Sequence, residues 1–167
     1  YRLYEETDMP RDEVGRRVEE VLGFVGLAEY LDRMPPELSG GQRRRVAIAR
    51  AMASKPSLIL FDDPTTGLDP ITATSVDDQI VKLRDLEQVT SLVVTHQIRD
   101  AHFLATHQAV LADGGLQIVP SGDADAHRTT FMVLHEGGIY FRGSATELLA
   151  SRDPYLQEFL FMTLPPW

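Results

Sequence analysis

The chain has 167 residues, 43% of them hydrophobic and 25% charged, proportions of a globular domain with a core and not of a disordered segment. Cysteine is absent, which excludes disulfides, thiolate metal sites and thiol nucleophiles. A net charge of -9 argues against nucleic acid as a partner, since phosphate neutralisation needs a clustered basic surface and the one such cluster is Arg43, Arg44 and Arg45.

No apolar run reaches the roughly 18 to 20 residues of a spanning helix, and residues 1–6 lack a signal-peptide layout. Any membrane span must therefore come from another subunit. In residues 12–25, Val14, Val18, Val21, Leu22 and Val25 recur at helical spacing, with Glu13, Arg17, Glu19 and Glu20 elsewhere, which predicts an amphipathic helix. Pro10 suits its first turn, Thr7 or Asp8 its cap and Gly26 its exit. A short helix over 28–33 is expected to end before Pro35-Pro36.

Ser39 to Gln42 reads S-x-x-Q, a capping box, ahead of the strongly helical residues 46–52, so a helix N-terminus is placed at Gly40-Gly41. Lys55-Pro56 breaks that helix. The apolar run Leu58-Ile59-Leu60-Phe61 closes on Asp62-Asp63-Pro64 and predicts a strand buried on both faces. Pro70 opens the next helix, with Val76, Ile80, Leu83 and Leu86 inward; residues 91–95 form a second buried strand ending on His96. A helix over about 98–105 and a strand over 107–111 follow. This alternation predicts an α/β fold with a parallel sheet and crossover helices, whose strand carboxyl ends carry Asp62, Asp63 and His96, the usual place for ligands. Residues 113–130 have loop composition and read as an exposed, mobile insertion. A hairpin over 131–134 and 139–141, a capping box at Ser144 and Glu147, and a terminal helix interrupted at Asp153-Pro154 complete the chain.

Two glycines and a serine at a helix N-terminus offer backbone N–H groups, a hydroxyl and a favourable dipole to an anion, with phosphate the natural ligand. In isolation Ser39 and Gln42 would only cap the helix, Asp62-Asp63-Pro64 would be a turn and His96 a structural histidine. Their order and spacing decide otherwise. Leu38-Ser39-Gly40-Gly41-Gln42 resembles the signature motif of ABC-type ATPases, the strand ending at Asp62 resembles Walker B, Gly67-Leu68-Asp69-Pro70 resembles the D-loop, and His96 resembles the switch histidine. The resemblance implies a P-loop NTPase-like, RecA-like α/β fold divided into residues 1–36 from the helical subdomain, 37–112 as the catalytic core, the 113–130 insertion and a 131–167 hairpin and helix. It also implies ATP and Mg2+ as cofactors, Asp62 at the metal, Asp63 and His96 as catalytic residues, and Leu38 to Gln42 with Asp69 at the nucleotide. A second nucleotide-binding subunit, most simply in a homodimer, and a transmembrane permease are the implied partners, with the protein cytoplasmic and peripheral on the inner face of the cell membrane. A finer resemblance, to ATPases of phospholipid-trafficking importers of the Mla or Mce type, is carried by Tyr1-Arg2-Leu3, Thr7 to Pro10, Asp69 to Thr72 and the tail from Asp153 to Leu160.

The pattern has two departures. A P-loop ends in Gly-Lys-Ser or Gly-Lys-Thr, yet the only lysines, Lys55 and Lys82, follow no glycine. The Walker A loop, its strand, the N-terminal β-subdomain, the adenine-stacking aromatic and the Q-loop are all missing, as expected of a chain lacking its first half, and weak ATP binding by the chain alone follows. Asp63 also stands where the family usually has glutamate, with about 1.5 Å less reach to the attacking water, so hydrolysis is expected to be slow. Two functions are open on these residues: an ATP-hydrolysing transporter subunit, or a degenerate partner whose signature completes another subunit's site.

Overall fold

Hydrophobic periodicity near the N-terminus takes form as helix α1 (Arg11–Phe24) in the computed structural model, which describes residues 9–112, 115–122 and 129–163. Thr7 and Asp8 lie outside the described residues. Pro10, expected inside the first turn, instead takes the cap with extended ψ of 149°, and its carbonyl accepts from Val14 N at 3.0 Å. Having no N–H to leave unpaired, proline suits either place. The helix exits through Gly26 at φ 69°, a left-handed conformation that favours glycine. The expected helix over 28–33 is reduced to a single 3-10 turn, Ala28–Tyr30, because the proline pair forces the residue before it, Met34, into an extended conformation; a second such turn, Pro35–Glu37, follows.

The chain forms two compact units, one ending at Val94 and one starting at Thr95. In the first, α1 and α2 (Gly40–Met52) pack with α3 (Pro70–Leu86) beside strands β1 (Leu58–Asp62) and β2 (Thr90–Val94). The strands pair in parallel, in register from Leu58 opposite Thr90 to Asp62 opposite Val94, with α3 as the connection. Val14, Val21, Ile48, Met52, Ile59, Phe61, Val76, Ile80 and Leu83 are buried and make the core, whereas Leu86 is 38% exposed at the fraying end of α3. Arg17, expected on the polar side of α1, is also buried. The strands are not buried on both faces: Leu58, Leu60, Leu92 and Val94 are exposed, Leu60 by 68%, while Ile59 and Phe61 face the core. The pleat alternates side chains between faces, and helices cover only one of them; an apolar run alone does not distinguish the two cases.

The second unit holds α4 (Ile98–Thr106), β3 (His107–Ala112), β4 (Gly115–Pro120), β5 (Phe131–His135), β6 (Gly138–Gly143), α5 (Ala145–Leu149) and α6 (Pro154–Thr163). Here β3 is not the third strand of a parallel sheet. It pairs antiparallel with β4, from His107 opposite Pro120 to Ala112 opposite Gly115. Residues 115–120, expected as loop, therefore form a strand: Leu116-Gln117-Ile118-Val119 is a short β-prone run that finds its partner locally. The β5–β6 hairpin matches its prediction, turning through Glu136 at φ 47° and Gly137 at φ 79°, the paired positive φ values of a type I′ turn. Ile98, Val133, Leu148, Leu156 and Leu160 form the core of this unit, flanked by Phe131, Phe141, Tyr155 and Phe159. Ser144 and Glu147 exchange the expected capping-box bonds. Asp153-Pro154, read as an interruption, is the start signal of α6, with Asp153 Oδ1 accepting from Leu156 N at 3.0 Å. Among the described residues no helix is long and apolar enough to cross a membrane.

Candidate functional site

The signature turn is built by reciprocal capping. Ser39 Oγ accepts from Gln42 N at 3.2 Å, and Gln42 Oε1 accepts from Ser39 N at 2.8 Å. Leu38 is buried beneath the turn, whereas Ser39 and Gly40 are exposed. Gly40 and Gly41 open α2, so helix geometry leaves their N–H groups outside the intrahelical ladder. The three arginines that follow serve backbone carbonyls: Arg43 donates to Leu38 O, Arg45 to Val25 O at 3.0 Å and Arg44 to Thr66 O at 3.4 Å. They fasten neighbouring segments to α2.

The second segment is the cap of α3. Asp69 Oδ1 accepts from Ile71 N at 3.1 Å and Thr72 N at 3.0 Å, its Oδ2 accepts from Thr72 Oγ1 at 2.6 Å, and Pro70 occupies the first helical position. The Thr72 hydroxyl bond, then the Thr72 backbone bond, hold the Asp69 carboxyl below its usual value. A depressed folded pKa means that the capping contribution is complete above the unfolded value of about 3.9 and is lost as pH falls through the folded one. A carboxyl-detected NMR titration is expected to place the Asp69 midpoint below about 3.9, and Thr72→Val to raise it.

Asp62 is the exposed last residue of β1, at the carboxyl end of the parallel pair. Asp63 follows with its N–H on Val94 O at 2.8 Å, which holds it to β2, and with φ at 42°. That left-handed backbone is tolerated better by aspartate than by longer side chains. Turns closed by Thr66 N on Asp63 O and Leu68 N on Thr65 O, with Gly67 at φ 78°, lead the chain to Asp69. His96 lies in the second unit, exposed, between β2 and α4; beside it Gln97 N donates to Thr95 Oγ1 at 3.0 Å.

The structure brings the signature turn and the Asp69 cap together within the first unit. A Cβ on Gly40 would meet Leu68 Cδ2 at 3.6 Å, and one on Gly41 would overlap Thr72 Cγ2. Thr72 and the buried Arg17 are the structural residues that periodicity missed. Thr72 carried a signal, since a hydroxyl three residues after a capping aspartate lies within its reach. Among the described residues no cluster of three or more His, Asp or Glu side chains could hold a metal. The exposed Asp62 carboxylate suits a hard cation ligated chiefly by phosphate and water.

Residues 2–66 match the model of the ABC transporter family. The chain is 41% identical over 113 residues to the methionine import ATP-binding protein of Bifidobacterium longum, a match covering 68% of this chain and 28% of that protein. It is 42% identical over 111 residues to the thiamine import ATP-binding protein of Vibrio parahaemolyticus, covering 66% of this chain and 47% of that protein. The fold matches MJ1267, an ATP-binding cassette of an ABC transporter in its ADP conformation, with a TM-score of 0.67 at 23% identity over 94% of this chain and 53% of that one. A dimeric post-hydrolysis structure of the ATP-binding cassette MJ0796 with ADP and Pi matches with a TM-score of 0.51 at 36% identity, over 67% of this chain and 49% of that one. The chain thus spans less than half the length of these curated relatives. It has the ABC ATPase fold. These relatives are named for methionine import and thiamine import, and neither name refers to phospholipid.

Proposed function

We propose that this chain is the signature-bearing part of an ATP-hydrolysing subunit that powers import through an ABC transporter. The observation that carries the reading is the signature turn, where a reciprocal cap holds Gly40 and Gly41 at a helix N-terminus, with their N–H groups outside the intrahelical ladder and with Ser39 and Gly40 exposed. That arrangement suits the γ-phosphate of a nucleotide held by a second, like subunit, and the dimeric state of MJ0796 supports such a pairing. In this scheme Ser39 donates a hydroxyl bond, Gly40 and Gly41 donate backbone bonds, and Asp69 fixes the turn beside them. Asp62 would hold Mg2+, which supplies charge neutralisation for phosphoryl transfer. Asp63 accepts a bond from the attacking water and His96 contacts the γ-phosphate. A transmembrane permease would provide the path, with this subunit on the inner face of the membrane. The import direction has the curated relatives behind it. A phospholipid cargo rests only on the residues quoted for it above.

The second reading, a degenerate partner serving another subunit's site, is favoured by Asp63 alone, whose short side chain sits on a left-handed backbone. A chimera joining the upstream half of the thiamine import ATPase to this chain separates the two. It is expected to hydrolyse ATP, with Ser39→Arg lowering turnover at least about tenfold through loss of charge-stabilising contacts. A chimera that binds ATP without turning it over would overturn the catalytic reading. Turnover of a mixed dimer that survives His96→Ala but not Ser39→Arg in this chain would establish the second.

A further inference from the structure

The geometry points to Thr72 as a positioning residue that locks the signature turn to the Asp69 turn, making the two segments one rigid element. The inference rests on the reading above insofar as both segments act on the same partner nucleotide. Thr72 lies half-buried in the first turn of α3 and uses both branches of its side chain. Its hydroxyl donates to Asp69 Oδ2 at 2.6 Å, which fixes the rotamer of a side chain already stiff from β-branching. With the hydroxyl committed there, the Cγ2 methyl has one place to go, against the buried backbone of Gly41 in α2. A Cβ on Gly41 would overlap that methyl, while Thr72 Cβ and Oγ1, at 3.5 and 3.8 Å, would remain in ordinary contact. Any side chain at Gly41 must therefore either separate the helices or rotate Thr72, and rotation breaks the bond to Asp69.

Capping alone does not account for this residue. A serine would bond Asp69 equally well, so the methyl has a separate role, and that role is contact with the signature glycine. One further bond joins the same segments, from Arg44 Nη2 to Thr66 O at 3.4 Å. The signature turn and the Asp69 turn are thus held at the helix N-terminus, beside the donors proposed for phosphate.

The lock makes one glycine and one methyl interdependent, and a double-mutant cycle in the full 167-residue chain reads that interdependence. Hydrogen exchange at the Ile71 and Thr72 amides is the measurement, because Asp69 caps both and neither belongs to the helix carrying Gly41. Gly41→Ala is expected to speed their exchange at least about tenfold, and Thr72→Ser in the same chain to return it to within about threefold of the parent. Thr72→Ser alone is expected to leave these amides protected, since it keeps the hydroxyl. A double variant that exchanges like Gly41→Ala, or a Gly41→Ala chain with Ile71 and Thr72 still protected, would overturn the proposal. If Gly41→Ala fails to fold, a folded double variant supports the lock and an unfolded one refutes it. None of these measurements uses nucleotide, so failure of the ATPase reading and failure of the lock are seen separately.

Discussion

Arg17→Met is expected to destabilise the first unit by about 3 kcal/mol and to lower its melting temperature by about 10 °C or more, measured by thermal and urea unfolding of the full chain. The Arg17 side chain is only 9% exposed. Its Nη2 donates to Met52 O at 2.7 Å and its Nε to Ala53 O at 3.2 Å, so one guanidinium satisfies two carbonyls at the end of α2 and meets the negative end of that helix dipole. Nη1 pairs with Glu20 at 2.8 Å, and the hydrogen bond from Arg17, followed by its charge, lowers the Glu20 pKa. Glu20 is itself 64% exposed, so the ion pair is worth under about 1 kcal/mol. Methionine preserves the apolar stem and removes two charge-assisted bonds, each worth roughly 1.5 to 3 kcal/mol: Ala53 O loses its guanidinium donor, while Met52 O keeps only Lys55 N at 2.9 Å. The carbonyls therefore dominate, and the comparison that proves it is Glu20→Gln, expected to change stability by less than about 1 kcal/mol. A Glu20→Gln loss equal to that of Arg17→Met would show instead that the ion pair holds α1 to α2.

Features written in adjacent residues were legible in the sequence, and features that depend on distant partners were not. The capping boxes at Ser39 with Gln42 and at Ser144 with Glu147 span three residues, and both form as expected. Asp62 ends β1 and Asp63 follows it as expected, since strand length and apolar content are local properties, whereas β2 stops at Val94 and leaves His96 two residues beyond the strand. Arg17 was misplaced because periodicity treats arginine as polar, whereas its long side chain crosses to carbonyls far along the chain. The exposed face of β1 and β2 was hidden for a similar reason: Leu58 and Leu60 match the composition of a doubly covered strand, but coverage depends on what packs against it. Strand β4 was lost in a segment judged by its Gly, Asp and Ser content, although Leu116 to Val119 have a strand's chemistry. The lock between Gly41 and Thr72 joins two motifs that sequence treats as separate, and only packing shows why one of the two signature glycines tolerates no Cβ.

The same limit applies to Asp63, where sequence showed a shortened carboxylate and the structure adds the backbone beneath it. In the ATPase chimera, Asp63→Glu is expected to raise kcat by about tenfold to a hundredfold and Asp63→Asn to lower it by at least about a hundredfold. Two opposing terms set the first figure. The added methylene brings the carboxylate about 1.5 Å further, and misplacement near 1 Å costs about a hundredfold in rate. Against this, φ at 42° penalises glutamate relative to aspartate by roughly 1 kcal/mol, about a fivefold loss in the population correctly posed. The bond from Asp63 N to Val94 O is made by the backbone and survives either substitution, so the residue stays at the carboxyl end of the sheet. Reach outweighs strain, which leaves a net gain. The Asn variant keeps the size and the tolerance for a left-handed backbone but removes the negative charge, so its loss isolates the proton-accepting role. Steady-state turnover at saturating ATP reads both variants. If Glu and Asn at this position turn over ATP at the same rate as aspartate, the carboxylate is not the base, and Asp63 is present because its backbone conformation suits aspartate.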